Sequence, residues 1–399
     1  MRILVHDYAG HPFQLQLSRE LAKMGHDVLH AFAGSLQTPR GDLVKNDEDA
    51  ASLIVREVAM DPDYVRYKYS FIRRRNMEVA YGKEVARLIR MWKPEGVISS
   101  NTPTETQEPI LRATQAVNAR FVYWLQDFYS VAVDKLVRKK IPVVGGLIGQ
   151  YYRRMEGRQL RASHRVVAIT DDFSPILEED FGMPKDRITV IPNWAPLETL
   201  PVGEKANDWS RRHGLADKFV YLYTGTLGMK HNPELLLSLA EQYRNNDKIR
   251  VVVISEGIGA EWLAEQKKAR QLPHLLLLPY QHFNVMPQVL ATGDVLCAVL
   301  EEDAGVFSVP SKVLTYLCAA RPLLLAVPQV NLAARIIHQR KAGLTVPPAD
   351  VPAFLEAAEQ LRANPHLAAR CATNAREYAK NTFKIEDIAS NFEKTILTP

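Results

Sequence analysis

The chain has little of what would place it in a specialised class. Its 399 residues include three cysteines, Cys297, Cys318 and Cys371. They are too few and too scattered for a disulfide framework and lack metal-ligand spacing, so a reducing, cytoplasmic compartment is expected. No run approaches the ~18 uninterrupted apolar residues of a membrane span. The opening Met-Arg-Ile-Leu-Val-His-Asp reads as a strand, too short in apolar length for a signal peptide. There is no low-complexity tract and no repeat of solenoid period. One-sided charge is scarce too: 50 Lys and Arg face 45 Asp and Glu, a net charge of +5. That balance speaks against a protein that coats nucleic acid.

What charge there is lies unevenly. Residues 64–93 hold nine Lys and Arg against two acids, and residues 132–165 repeat those numbers. The two segments carry +14 together, leaving −9 for everything else. The chain is therefore a slightly acidic protein with two basic segments. A hydrophobic content of 47% and a charged content of 24% are those of a globular protein. The length suggests two domains, each large enough for its own core.

Short apolar, β-branched runs punctuate the first half at 2–5, 27–32, 96–100, 120–125, 165–169 and 188–191. Helical spacing separates them, beginning with Leu17, Leu21 and Met24 on one face and Gly25 as a stop. This is the rhythm of a parallel sheet with crossover helices. It breaks at 197–208, where Pro201 and Gly203 lead into a charged stretch, expected to be an interdomain linker. The rhythm restarts with runs at 219–223, 250–254, 275–278, 295–299, 323–326 and 344–346. The expected fold class is α/β, two tandem doubly wound parallel-sheet domains with a cleft between them. The first is expected over 1–196 and the second over 209–382. A final helix, 383–399, carries Ile385, Ile388, Phe392 and Ile396 on one face and is expected to pack back on the first domain.

In such folds ligands bind at the C-terminal ends of the strands, so the loops there decide the chemistry. Tyr223-Thr-Gly-Thr-Leu-Gly-Met-Lys-His-Asn-Pro233 follows a strand and opens a helix. Gly225 and Gly228 allow close backbone approach, helix amides supply partial positive charge and Lys230 adds a full one: a phosphate cradle, or else a plain glycine-rich turn. A second loop, 303–312, puts Pro310 and Ser311 before a helix with Lys312 in its first turn. The helix dipole disfavours a cation there, and an anionic ligand would remove the conflict; the alternative is a lysine swung to solvent. Two such lysines suggest a diphosphate. The turn after 250–254, with Glu256 and Gly257, either shapes a nucleoside pocket or is a simple turn. Tyr280 and Gln281 end the next strand and could offer a base an aromatic face and backbone contacts. In the first domain Asp7, Gly10 and His11 follow strand one. Gln126 and Asp127 end the strand at 120–125, Asp127 being either an acceptor for a substrate hydroxyl or a helix N-cap.

Taken in order, these pieces resemble a known family. Trp124-Leu-Gln-Asp127, Val167-Ala-Ile-Thr170, Val190-Ile-Pro-Asn-Trp194, Gly225-Thr-Leu-Gly-Met-Lys230, Ser255-Glu-Gly257 and Val309-Pro-Ser-Lys-Val-Leu-Thr-Tyr-Leu-Cys-Ala-Ala-Arg-Pro322 match in kind and spacing. The chain resembles retaining GT-B glycosyltransferases of family 4, of the sort that build bacterial capsule, O-antigen or exopolysaccharide. The resemblance implies a nucleotide-diphosphate sugar donor, UDP- or GDP-linked, in the second domain. It implies an acceptor in the first, expected to be lipid-linked, with no cofactor and no metal required. It places the donor on Gly225, Thr226, Lys230, Glu256, Gly257, Tyr280, Gln281, Ser308, Val309, Ser311 and Lys312. Lys230, Lys312 and Asp127 are the candidate catalytic residues, and Asp7, Gly10, His11, Gln126 and Asp127 the acceptor contacts. Three positions depart from the family. Thr226 stands where many members have arginine, Phe307 and Thr315 where two glutamates are usual, and Gln126 where a histidine is usual.

The basic segments interleave cations with aromatic and apolar residues, as at Tyr64, Tyr67 and Phe71 and around 141–148. Such a surface suits an anionic membrane, so peripheral contact with the inner face of the cell membrane is expected; solvated helix faces are the alternative. Two rival functions share some of these features. A nucleotide-sugar 2-epimerase would use the same fold without an acceptor. A non-catalytic nucleic-acid-binding protein would use the basic runs, but no nucleic-acid motif is present and no such partner is expected.

Overall fold

The computed structural model describes residues 1–34, 43–67, 70–100, 102–140, 142–228, 231–302 and 311–398. The chain divides into two compact units, one of residues 1–192 with 385–399, the other of 193–384.

The first unit holds a seven-stranded sheet. Its strands are β1 (Arg2–Asp7), β2 (Asp27–Ala33), β3 (Leu53–Val58), β4 (Gly96–Ser100), β5 (Arg120–Leu125), β6 (Arg165–Ala168) and β7 (Ile188–Val190). All pair in parallel in the order β3-β2-β1-β4-β5-β6-β7. Ile3, Leu4 and Val5 are fully buried, as an unbroken apolar run covered on both faces should be. β3 has no counterpart among the runs expected from sequence. It is an edge strand, and Arg56 and Glu57 point it toward water, which hides it among polar loop residues.

The second unit repeats the design. Its strands are β8 (Phe219–Thr224), β9 (Ile249–Ile254), β10 (Leu275–Leu278), β11 (Val295–Val299), β12 (Leu323–Ala326) and β13 (Gly343–Val346). They form a parallel sheet in the order β10-β9-β8-β11-β12-β13. In both sheets the order reverses beside the unit's first strand, between β1 and β4 and between β8 and β11. These are the crevices where open α/β sheets receive ligands.

The segment 197–208, expected to be a linker, is bound along the second unit. Arg321 donates to the Gly203 carbonyl at 3.2 Å, Lys205 pairs with Asp294, and Asn207 donates to the Gln288 carbonyl at 3.0 Å. Asn207 also forms a capping box with Ser210 at the start of helix Asp208–Arg212. The division between units falls earlier, after Pro192.

The final helix, Ile385–Leu397, lies on the first unit. Phe392 is fully buried with its ring 4.7 Å from that of Trp124 in β5, and Arg120 donates to the Ile396 carbonyl at 2.8 Å. Gly96 makes room for it, since a Cβ there would collide with the Ile396 side chain.

Candidate functional site

In the second unit β8 pairs with β9 along its whole length but with β11 only at Tyr221 and Leu222. The last two residues of β8 are therefore met by side chains. These come from helix Ser311–Cys318, where Lys312 and Tyr316 are one turn apart and share a face. The Tyr316 hydroxyl accepts from the Thr224 N–H at 2.8 Å and donates to the Thr224 carbonyl at 3.3 Å. Lys312 reaches Tyr223: its ammonium donates to the phenol oxygen and lies 3.8 Å from the ring centroid. Tyr223, fully buried, donates in turn to the Thr226 carbonyl at 2.9 Å.

Gly225 opens this loop at φ +107, a conformation that favours glycine. A Cβ there would stand 3.2 Å from Lys312 Cε and 3.3 Å from Nζ, so the backbone angle calls for glycine and a side chain would also press on the lysine. Among the described residues no carboxylate pairs with Lys312. Burial alone pulls its pKa down to about 7. A partly buried cation with no carboxylate partner among the described residues, in the first turn of a helix and beside a glycine loop, has the chemistry to receive an anion.

The neighbouring loops close around it. Gly259 donates to the Leu227 carbonyl at 2.9 Å, and a Cβ on Gly259 would strike that oxygen, so the turn after β9 rests on the turn after β8. Gly257 has φ +104 and Glu256 is exposed. The hydroxyls of Thr226 and Tyr280 lie 2.7 Å apart, joining two of the expected donor loops. Ser311 is exposed at the helix start. The Gln281 side chain has partners within its own unit. Its side chain accepts from Trp209 Nε1 at 3.0 Å and donates to the Pro279 carbonyl at 2.8 Å, so it holds helix Asp208–Arg212 in place. Lys230, Ser308 and Val309 lie outside the described residues, as does Phe307.

In the first unit Asp7, expected to meet substrate, is fully buried and turned into its own loop. Its carboxylate accepts from the N–H groups of Ala9 at 3.2 Å, Gly10 at 2.9 Å and His11. Burial pushes its pKa up, but hydrogen bonding and charge from His11 outweigh that and hold it low. Asp7 thus shapes the loop in which Gly10 takes φ +72 and His11, one-third exposed, starts helix Pro12–Lys23. At the end of β5 Gln126 is half-buried and Asp127 exposed. The first two N–H groups of helix Tyr129–Lys140 donate to Glu156, at 3.0 and 3.2 Å.

Sequence reasoning missed a buried polar network beside these loops. Glu78 pairs with Arg74 at 3.0 Å and accepts from Tyr64 at 2.9 Å; Arg74 donates to the Tyr129 hydroxyl at 2.8 Å. Next to it Arg75 and Tyr152 both donate to Glu105, at 2.5 and 2.8 Å. Two arginines of the first basic segment are thereby spent on internal carboxylates. Tyr223 and Tyr316 were missed as well; the i, i+4 spacing of Lys312 and Tyr316 was the one signal available. No group of three potential metal ligands occurs among the described residues. No helix among them is long and apolar enough to cross a membrane.

Comparison with known proteins agrees with this arrangement. Residues 13–199 match the family described as Glycosyltransferase Family 4, and residues 218–364 match Glycosyl transferases group 1. The chain is 24% identical over 310 residues to a putative colanic acid biosynthesis glycosyl transferase, WcaI, of Escherichia coli, covering 76% of this chain and 74% of that one. It is 23% identical over 225 residues to alpha-D-kanosaminyltransferase of Streptomyces kanamyceticus, covering 55% and 56%. Among solved structures, HepE of Anabaena in complex with UDP and glucose aligns over 100% of both chains with TM-score 0.71 and 14% identity. WaaG, a glycosyltransferase involved in lipopolysaccharide biosynthesis, aligns over 100% of both with TM-score 0.70 and 14% identity.

Proposed function

Since the chain is a glycosyltransferase of the GT-B fold, family 4 across its first unit and group 1 across its second, we propose that it moves a sugar from a nucleoside-diphosphate sugar, UDP- or GDP-linked, to a lipid-linked saccharide, with retention, in the synthesis of a bacterial surface or extracellular polysaccharide. The observation that carries the donor half is Lys312, a partly buried ammonium with no carboxylate among the described residues, facing Gly225 at the strand-order reversal.

As the sugar–oxygen bond breaks, negative charge builds on the departing diphosphate. Lys312 and Lys230 would take up that charge, and a cation already in place costs no reorganisation at that moment. Gly225, Thr226 and Gly257 would bring backbone close to the phosphates, with Tyr280 toward the nucleoside. On the acceptor side Asp127, exposed at the end of β5, would accept from the attacking hydroxyl, while Asp7 keeps Gly10 and His11 in place. The WcaI similarity supports the polysaccharide setting.

The lipid-linked acceptor agrees with a mixed surface on the first unit. Phe71, Ile72, Leu147 and Tyr151 are large apolar side chains exposed on helices Phe71–Trp92 and Pro142–Ala162. The two helices meet where the Phe71 and Tyr152 rings come within 6.3 Å. Arg73 and Arg154 are exposed on the same helices. Apolar groups among cations suit the anionic inner leaflet, reached from the cytoplasm.

The donor reading is tested by thermal shift with UDP-, GDP-, dTDP- and ADP-sugars. One nucleotide class should raise the melting temperature, and Lys312→Ala should abolish the rise while still melting cooperatively. Stabilisation by none of the four would refute it.

A further inference from the structure

We propose that Tyr223 is a positioning residue of the donor site, its hydroxyl locking the Lys312 ammonium and the glycine loop into one preformed anion cradle. The inference rests on the reading that the second unit binds a nucleoside diphosphate, and it adds a residue to which no role was attached.

The hydrogen-bond directions are forced by chemistry. An ammonium only donates and a carbonyl only accepts, and here the group that stands between them is Tyr223. A phenol does both. Its proton goes to the Thr226 carbonyl at 2.9 Å and its lone pair faces Lys312. The ring adds a second attraction, with the ammonium 3.8 Å from its centroid. Tyr223 itself cannot wander, being fully buried within β8. On the other side Gly225 leaves the lysine room, since a Cβ there would stand 3.2 Å from Lys312 Cε. A long lysine side chain loses much rotational freedom when it grips an anion, and here that loss is met before the ligand arrives. Tyr316 offers a contrast one residue along. Its hydroxyl ties the N–H and carbonyl of Thr224, a backbone closure that does not touch the cation.

The test is calorimetric titration of the whole chain with UDP and with GDP. Tyr223→Phe keeps the ring and removes only the hydroxyl, so it should weaken binding about tenfold or more, the scale of a lost hydrogen bond to a charged group. Because the tyrosine acts through the lysine, Tyr223→Phe should also shift the pH profile of nucleotide affinity, a readout that a merely structural role would not move. Tyr223→Met, which removes both the hydroxyl and the ring but keeps an apolar side chain in the buried position, should lose at least as much, which keeps the idea testable if Tyr223→Phe folds poorly. Tyr316→Phe should lower the melting temperature with a smaller change in affinity. Unchanged affinity in a folded Tyr223→Phe, or in Tyr223→Met, would overturn the assignment while leaving the donor reading intact. Failure of the unsubstituted chain to bind either nucleotide would overturn both.

Discussion

Lys312, the proposed donor-site cation, works against the fold that holds it. Its pKa falls from 10.5 to about 7 because burial disfavours the ammonium. In the folded chain it therefore binds fewer protons than in the unfolded chain between those two values. The penalty is full below pH about 7 and is relieved as pH climbs toward 10.5. Lys312→Met should accordingly raise the melting temperature at neutral pH while destroying nucleotide affinity. An anion reverses the preference by favouring the charged form. Nucleotide affinity should decline as pH rises through about 7 in the natural chain and stay level in Lys312→Arg, which remains charged. Titrations between pH 6 and 9 decide this, and a level profile in the natural chain would be the contrary result. The lysine was legible in sequence as a cation wrongly placed for the helix dipole. Its phenol partner, 89 residues away, was not, because nothing local marks which strand-end tyrosine will face it.

Among the elements, helix Tyr129–Lys140 has the least expected support. Its start is held by Glu156 of helix Pro142–Ala162, fully buried and accepting from the Tyr129 and Ser130 N–H groups. A carboxylate there complements the helix dipole. Burial nevertheless dominates and pushes its pKa up to about 7, against the hydrogen bonds from Ser130 and Tyr129. The folded chain thus binds more protons than the unfolded chain between pH 4.5 and 7, and stability from this group falls as pH rises across that window. Glu156→Gln keeps an acceptor and removes the titration. Melting temperatures at pH 5 and pH 8 should differ less in the variant than in the natural chain; an equal difference would remove Glu156 from the account. In sequence Glu156 is one of two acids in a basic stretch. The segment reads as surface, because the cap it forms exists only once two helices meet. The same holds for Glu78 and Glu105, which pair with Arg74 and Arg75 and offset part of the cationic charge those residues promised.

At the scale of the molecule, the final helix completes a unit whose other residues end at Pro192. Phe392 is the centre of that closure, packed edge-on to Trp124. Phe392→Ala should cost the first unit about 3–5 kcal/mol. Urea unfolding should show an earlier first-unit transition, with the second-unit transition unmoved. The membrane expectation also belongs here. The chain should sediment with vesicles containing anionic lipid and much less with neutral ones, and Ile72→Asp with Leu147→Asp should release it. Equal recovery from neutral and anionic vesicles would sink the electrostatic part.

The sequence by itself determined two α/β units, most of their strands, the glycine loop at Gly225 and the apolar face of the last helix. Those features are written locally, in a period of two or 3.6 residues and in glycines where the backbone must turn. Tertiary structure alone decided the strand order that brings the turn after β8 beside helix Ser311–Cys318. It also decided that Asp7 and Gln281 serve their own surroundings and which arginines face inward. The reason is physical: a charge or hydroxyl takes its role from the partner and burial it meets, and both come from segments far away in the chain.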